Sequence, residues 1–466
     1  MTGFTSPQKP VNVRAMNTPV TMPLWAFVLI VLFAVVTLAS HFLFPSVRWF
    51  FRKRAERVIA KVNQRLQRPI EPFKLARRYD MIQRLVYDPE ISQAIADYAE
   101  EEGIPENVAF EKAKNYAREI VPSFSATAYF TFGMRLARFL TNSLYRVRLG
   151  QFDRAALEQI DPDATVIFVM NHRSNMDYVL VTYLVSRAAA MSYAVGEWAR
   201  VWPLSVLIKM LGAYFIRRRS RGSLYRKVLA RYVQMATAGG VTQAMFPEGG
   251  LSLTGHVGDA KLGLLSYISD YDLPNGRDVI FVPVGLNYDH VLEDRFLINA
   301  KRTGKRRFRP SIWSVVRSCA VYLWWRITGK FRGFGTASVG FGEPLELSSV
   351  PQGPDRTATI AAQLMGRIAK VVPVLAAPLV ARALVETHAR DSDSLARAVQ
   401  QMLDDLREAN MPTPRRDVPT MIQETLDRFA LRGLISRKDD GVVINDGGAE
   451  VLEYYAATIA HHFDDK

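Results

Sequence analysis

The sequence predicts an α/β protein, in which a mostly parallel central sheet is flanked by helices and accompanied by an N-terminal transmembrane helix and helical N- and C-terminal regions. Three observations predict it. Between Asp163 and Pro344, short apolar β-rich runs alternate with helical stretches, the pattern of a parallel sheet with crossover helices. On either side of that stretch, apolar residues recur instead at three and four spacing. Near the N-terminus, Pro23 to Phe44 is 22 residues without Asp, Glu, Lys or Arg.

Composition narrows the class. A chain of 466 residues has room for more than one folding unit, and 49% hydrophobic with 23% charged residues excludes wholesale disorder. The single cysteine, Cys319, excludes a disulfide framework and suits a reducing compartment. A net charge of +15 implies anionic partners: nucleic acid, acidic lipid headgroups or phosphorylated metabolites.

In chain order, residues 1–22 read as a polar tail and 23–44 as a membrane span. A helix of that length rises about 33 Å, against a hydrocarbon core of about 30 Å. The competing reading is a signal peptide cut after "LAS". Against it, the apolar stretch is long for a signal peptide. Arg48, Arg52, Lys53, Arg54, Arg57 and Lys61 follow the stretch, whereas only Lys9 and Arg14 precede it. That asymmetry places the bulk of the chain in the cytoplasm. Residues 45–149 read as amphipathic helices, for example "AERVIAKVNQRL" and "ENVAFEKAKNYAREIV". The stretch Tyr129 to Leu149 follows a helical period, packed on the core or lying at a lipid interface.

Residues 150–347 form the expected α/β domain. Its strands are "TVIFVM", "MSYAV", "AYFI", "TQAMF", "VIFVPVGL" and "TASVGF", with a helix from Asp177 to about Arg187 and another around "LYRKVLARYVQMATA". A basic insert at about 291–334 carries "KRTGKRRFRP" and then Trp313, Trp324 and Trp325, a composition suited to acidic headgroups. "SSVPQGPDR" reads as a linker, and 355–466 as a helical region broken at "NMPTPRRD".

Four stretches carry chemistry. "FVMNHRSNMDYVLV" puts His172 at the C-terminal edge of a strand, where α/β sheets open their clefts, and Asp177 in the first turn of the next helix. A turn through "RSNM" lets the carboxylate fold back onto the imidazole and hold its tautomer, which would make His172 a general base. The bland alternative is a strand cap and a helix cap. His388 and Asp393 share the spacing in a polar context, so spacing alone is cheap. "LGAYFIRRRSRGSLYRK" delivers Arg217, Arg218 and Arg219 from a short strand, suited to phosphate oxygens or simply to a solvated surface. "AMFPEGGLSLTG" combines Glu248, which can accept from a polyol, with glycines that permit close backbone approach. "VIFVPVGLNYDHV" is a buried strand with Pro283 and a polar exit loop. No HExxH, CxxC pair or P-loop occurs, so neither a metal nor a nucleotide cofactor is expected.

In this order and spacing the four blocks resemble the glycerolipid acyltransferase superfamily, in particular its glycerol-3-phosphate acyltransferase branch. The likeness covers roughly Arg118 to Phe463, with "VLEYYAATIAHHF" similar to the branch's closing helix. It implies an acyltransferase domain with His172 and Asp177 as the catalytic pair. It places Arg173, Ser174, Gly212, Arg217, Arg218, Arg219, Glu248, Gly249, Gly250, Ser252 and Pro283 around the substrates. The implied reaction takes an acyl group from acyl-CoA or acyl carrier protein to the sn-1 hydroxyl of glycerol 3-phosphate. Backbone N–H groups near the motif turn would hold the oxyanion. Two departures stand out. Leu251 and Leu253 occupy positions where the branch has arginines, and "FPEG" leans toward lysophosphatidate acyltransferases. Lysophosphatidic acid therefore stays open as acceptor, as does a non-catalytic protein that binds acidic membrane lipids. Nucleic acid is not expected, because the "TMIQETLDRFALRGLISRKDDGVVIND" stretch, with four basic residues against five acidic ones, has no basic excess.

Overall fold

The computed structural model describes residues 22–186, 188–196, 199–202, 204–217, 222–270, 276–304, 324, 333–387, 390–438 and 441–463. It divides into two compact units, residues 1–61 and 62–466.

The first unit holds most of helix Leu24–Asn63. The helix does not stop at Phe44, where the expected span ends: it runs on through a basic stretch that holds Arg48, Arg52, Lys53, Arg54, Arg57 and Lys61. Along Leu24–Thr37 the helix is apolar, with Trp25 68% and Phe33 74% exposed. Among the described residues no single helix is long and apolar enough to cross a membrane by itself.

The second unit is built on an eight-stranded sheet: β1 (Arg146–Phe152), β2 (Thr165–Met170), β3 (Ser192–Gly196), β4 (Tyr214–Ile216), β5 (Gln243–Met245), β6 (Val279–Tyr288), β7 (Thr336–Phe341) and β8 (Leu345–Glu346). The order is β1-β7-β6-β2-β5-β3-β4, with β8 also on β6. β6, β2, β5, β3 and β4 run parallel, as the alternating pattern implies, but β7 and β8 are antiparallel to β6. β2 and β6 are buried along their whole length, which explains why they read as continuous apolar runs. The strand period of two divides their side chains between two cores. Ile167, Val169, Val279 and Phe281 join helices Arg78–Val86, Pro89–Glu102, Glu106–Ile120, Ser223–Ala238 and Arg356–Val371. Val166, Phe168, Met170, Val284 and Leu286 join helices Met176–Val185, Ala376–Glu386, Ser392–Glu408, Val418–Leu431 and Gly448–Ala457. Both flanking helical regions thus share their cores with the sheet.

Two expectations need correction. The stretch Tyr129 to Leu149 is not one helix: a π-helical turn, Ala128–Gly133, leads into helix Met134–Leu144, and the chain then becomes β1. Strand β1 pairs with residues about 190 positions later, Arg146 opposite Thr336, a partner that no local periodicity reveals. The C-terminal region is also not helical throughout, since β9 (Ile435–Lys438) and β10 (Gly441–Ile444) form an antiparallel hairpin. Pro283 sits inside central β6 at a tolerated position. β8 pairs with Ile280 and Phe281 and β7 with Val284 to Tyr288, so the missing N–H falls where one antiparallel partner gives way to the other.

Candidate active site

The polypeptide leaves β2 at Met170 and makes a tight turn before helix Met176–Val185. That turn is buried: His172 is 1% exposed, and Arg173, Ser174 and Asp177 are 0% exposed. His172 Nδ1 lies 2.9 Å from Asp177 Oδ2. The same oxygen accepts the backbone N–H groups of Arg173 and Ser174 at 2.8 and 3.0 Å, and Oδ1 accepts the Tyr288 hydroxyl at 2.6 Å. A carboxylate held by four donors is fixed in position. As an acceptor it places the His172 proton on Nδ1, leaving Nε2 as the basic nitrogen. The imidazole is stacked on Phe246 with ring centroids 3.9 Å apart and meets Tyr178 edge-on.

The rest of the turn is equally tied down. Asn171 exchanges two hydrogen bonds with the Leu286 backbone on β6, at 2.7 and 3.0 Å. Ser174 Oγ and the N–H groups of Asn175 donate to the Glu293 carboxylate. Burial raises the Glu293 carboxyl above its ordinary range, and the Ser174 and Asn175 hydrogen bonds offset part of that shift. The Arg173 guanidinium donates to the carbonyls of Gly255, His256 and Thr458, binding the turn to the glycine loop and to the end of the closing helix.

The glycine loop after β5 completes the site. Glu248 Oε1 accepts the His172 N–H at 2.9 Å, and the Ser252 N–H donates to the His172 carbonyl at 2.9 Å. Burial pushes the Glu248 carboxyl up to about 7, opposed by nearby Arg173 and by backbone N–H donors. Gly249 has φ +67°, a conformation that favours glycine, and a side chain there would strike Lys261.

Sequence reasoning placed His172, Arg173, Ser174, Asp177, Glu248, Gly249, Gly250 and Ser252 together, and the structure brings these residues to one place, above Pro283 in β6. It separates others. Gly212 (φ +90°) lies at the entrance of β4, the opposite end of the sheet from His172, where it gives room to Phe124 and Lys74. Arg217 leaves β4 at the correct end but three strands from β2, about 14 Å sideways. Its guanidinium is bidentate on Glu119, at 2.9 and 2.6 Å, and lies between the rings of Tyr116 and Tyr225. Arg218 and Arg219 lie outside the described residues, as do residues 305–332 of the basic insert except Trp324, whereas its beginning forms helix Asp294–Thr303. Leu251 and Leu253 pack against the core. The motif turn does not supply the expected oxyanion donors: the N–H groups of residues 172–176 are all engaged, by Glu248, Asp177, Glu293 and Ser174 Oγ. No role was assigned to Asn171, Phe246, Tyr288 or Glu293; the first three stood in the quoted motifs, and only Glu293 lies outside them.

Comparison with known proteins decides the family. The Acyltransferase family matches residues 153–287, and the Glycerol-3-phosphate acyltransferase C-terminal region matches residues 324–465. The chain belongs to the glycerolipid acyltransferase superfamily. Within that superfamily it is similar to glycerol-3-phosphate acyltransferases of Pseudoalteromonas atlantica (29% identical, covering 86% of this chain and 52% of the relative) and Aeromonas hydrophila (29%, 84% and 50%). A third, from Pseudomonas entomophila, is 27% identical over 88% of this chain and 52% of its own. The chain thus spans about half the length of the curated relatives it matches. In acyltransferase terms, the first match holds β2 to β6 with the His172 turn, and the second holds the helices that anchor Arg173 and Asp294 from behind.

Proposed function

We propose that this acyltransferase moves a fatty acyl group from a coenzyme A or acyl carrier protein thioester to the sn-1 hydroxyl of glycerol 3-phosphate, giving lysophosphatidic acid. The single observation that carries the reading is the buried His172–Asp177 pair at 2.9 Å, held from four directions. Nε2 of His172 takes the proton of the acceptor hydroxyl as that oxygen attacks the thioester carbonyl. The tetrahedral intermediate collapses, the C–S bond breaks, and the proton passes to the departing thiolate. The acceptor is itself the nucleophile, so no acyl-enzyme is formed. Asp177 steadies the imidazolium, and Tyr288 keeps the second carboxylate oxygen occupied. Glu248, beside His172 and titrating near neutrality, is suited to accept from a second acceptor hydroxyl.

A second acceptor has its own support. Leu251 and Leu253, partly buried against the core, stand where the branch carries arginines and bring no positive charge, and Arg217 is neutralised by Glu119. Both features suit lysophosphatidic acid, whose acyl chain needs apolar surroundings.

The site works at a membrane in this reading. Residues 23–44 span it, with the catalytic unit on the cytoplasmic side and the basic run from Lys301 to Arg309 against acidic headgroups. Exposure of the apolar Leu24–Thr37 helix supports this, because a soluble surface rarely carries so continuous an apolar stretch. So do Phe139, 62% exposed, and Trp202, 79% exposed, on the second unit.

The test is acyl transfer by the detergent-solubilised protein, with glycerol 3-phosphate and lysophosphatidic acid offered in parallel and each donor supplied in turn. Acylation of glycerol 3-phosphate is the expected outcome. Transfer confined to lysophosphatidic acid would move the enzyme to the second step, and transfer to neither would remove the reading.

A further inference from the structure

At the β1 edge of the sheet lies a cleft of about 1020 Å³, a size that suits a nucleotide-sized group. Its floor is set by strand geometry. Arg146, Arg148 and Gly150 alternate along β1, so they share one face, and a side chain at Gly150 would press on Pro373, which lines the cleft. Parallel pairing with β7 sets Thr336 beside Arg146 and Ser338 beside Arg148. The result is two arginine–hydroxyl rows about 6.8 Å apart. Lys370, at the end of helix Arg356–Val371, and Arg415, in the "NMPTPRRD" loop, line the same cleft.

None of these four cations has a carboxylate partner among the described residues. The acids that line the cleft are already engaged. Asp289 accepts the N–H groups of Thr336 and Ala377, Glu424 pairs with Arg416, and Asp427 pairs with Arg437. Arginines on an edge strand also guard against unwanted pairing. That role does not call for hydroxyl rows beside them, two further cations from other elements, and neighbouring acids all spoken for.

The cleft is also in reach of the chemistry. β7 is antiparallel to β6, so β1 and β7 begin at the sheet end where β2 and β6 finish, and β1 is three strands from β2, about 14 Å. Tyr145 lines the cleft and packs on Tyr288, which holds Asp177.

We propose that this cleft binds the phosphorylated nucleotide end of a coenzyme A thioester, with the pantetheine arm crossing β7 and β6 toward His172. Two rows of arginine and hydroxyl match a ligand bearing more than one phosphate, whereas a lipid headgroup with a single phosphate would engage one row. The inference rests on the acyl-transfer reading and names the donor within it.

The test is calorimetric titration of the full chain, in neutral detergent, with coenzyme A, inorganic phosphate and short-chain phosphatidylglycerol. Wild type is compared with Arg146→Gln/Arg148→Gln and, from another wall, Lys370→Gln, each checked for an unchanged circular dichroism melt. The expected result is coenzyme A binding whose Kd rises about tenfold or more in the double variant, and less in Lys370→Gln. In turnover, KM for acyl-CoA should rise in step while KM for glycerol 3-phosphate stays put. Unchanged coenzyme A affinity in both variants overturns the proposal, as does arginine-dependent binding of phosphatidylglycerol or phosphate without coenzyme A. Arginine-dependent coenzyme A binding in a protein that acylates no acceptor would leave this site standing and remove the proposed reaction. Acylation of glycerol 3-phosphate with coenzyme A affinity intact in the variants would do the reverse.

Discussion

The two edges of the sheet carry arginines at equal distance from His172, three strands to either side, yet they are in opposite electrostatic states. At the β4 edge Arg217 is bidentate on Glu119, which also holds Arg200 at 2.8 Å, so two guanidiniums share one carboxylate between aromatic rings. At the β1 edge Arg146 and Arg148 face a cleft whose acids are committed elsewhere. A guanidinium in a bidentate pair must give up that partner before it can hold a phosphate, whereas one without a partner has nothing to give up. The motif drew attention to the β4 edge, but the β1 edge is the one prepared for an anion.

The comparison assumes that the chemistry lies midway between the edges, and that assumption is open to the largest effect. Asp177→Asn would keep the shape of the turn but lose the charge that fixes the His172 tautomer. Turnover should fall by about 10²- to 10⁴-fold with the fold intact, measured as kcat beside a melting curve. Tyr288→Phe removes one donor from the same carboxylate, so a loss of about tenfold in kcat with KM for both substrates nearly constant is expected. It should also move the lower limb of the pH–rate profile, which a merely structural role for Tyr288 would leave in place. At the β4 edge, Glu119→Gln releases Arg217. If Arg217 reaches the acceptor once released, KM for glycerol 3-phosphate should drop by up to about fivefold. An unchanged KM would show that this edge takes no part.

The smallest effect concerns Glu248. Its carboxyl is raised to about 7 in the fold from an ordinary 4.5, so the folded protein holds a proton that the unfolded chain has released between those values. Its contribution to stability is therefore complete below about pH 4.5 and is lost as the pH rises through about 7. Glu248→Gln should flatten that part of the stability curve, gaining on wild type between pH 5 and 8 in melting experiments. A parallel pair of curves would place the ionisation elsewhere.

What the sequence disclosed follows chain distance. His172 and Asp177 are five residues apart, so one turn makes them meet, and local reading found them. β2 and β6 were legible because burial on both faces leaves a continuous apolar signature. β1 was not, because arginines on one face and its partner β7 far along the chain leave only a weak local pattern after a helix. Glu119 stands 98 residues before Arg217, and Tyr288 stands 111 after Asp177, so neither contact has a trace in periodicity. Gly212 belonged to the right motif and the wrong end of its strand: a three-residue strand puts about 10 Å between its entrance and its exit, which linear spacing conceals.

The central claim is that His172 removes the acceptor proton. Its most direct test is acyl transfer to glycerol 3-phosphate by His172→Ala beside wild type, in the same detergent, with circular dichroism and coenzyme A affinity measured on both. The account predicts that wild type acylates the acceptor. The variant should keep its fold and bind coenzyme A as wild type does, but lose turnover by about 10²-fold or more. A folded variant that acylates glycerol 3-phosphate at the wild-type rate would contradict it.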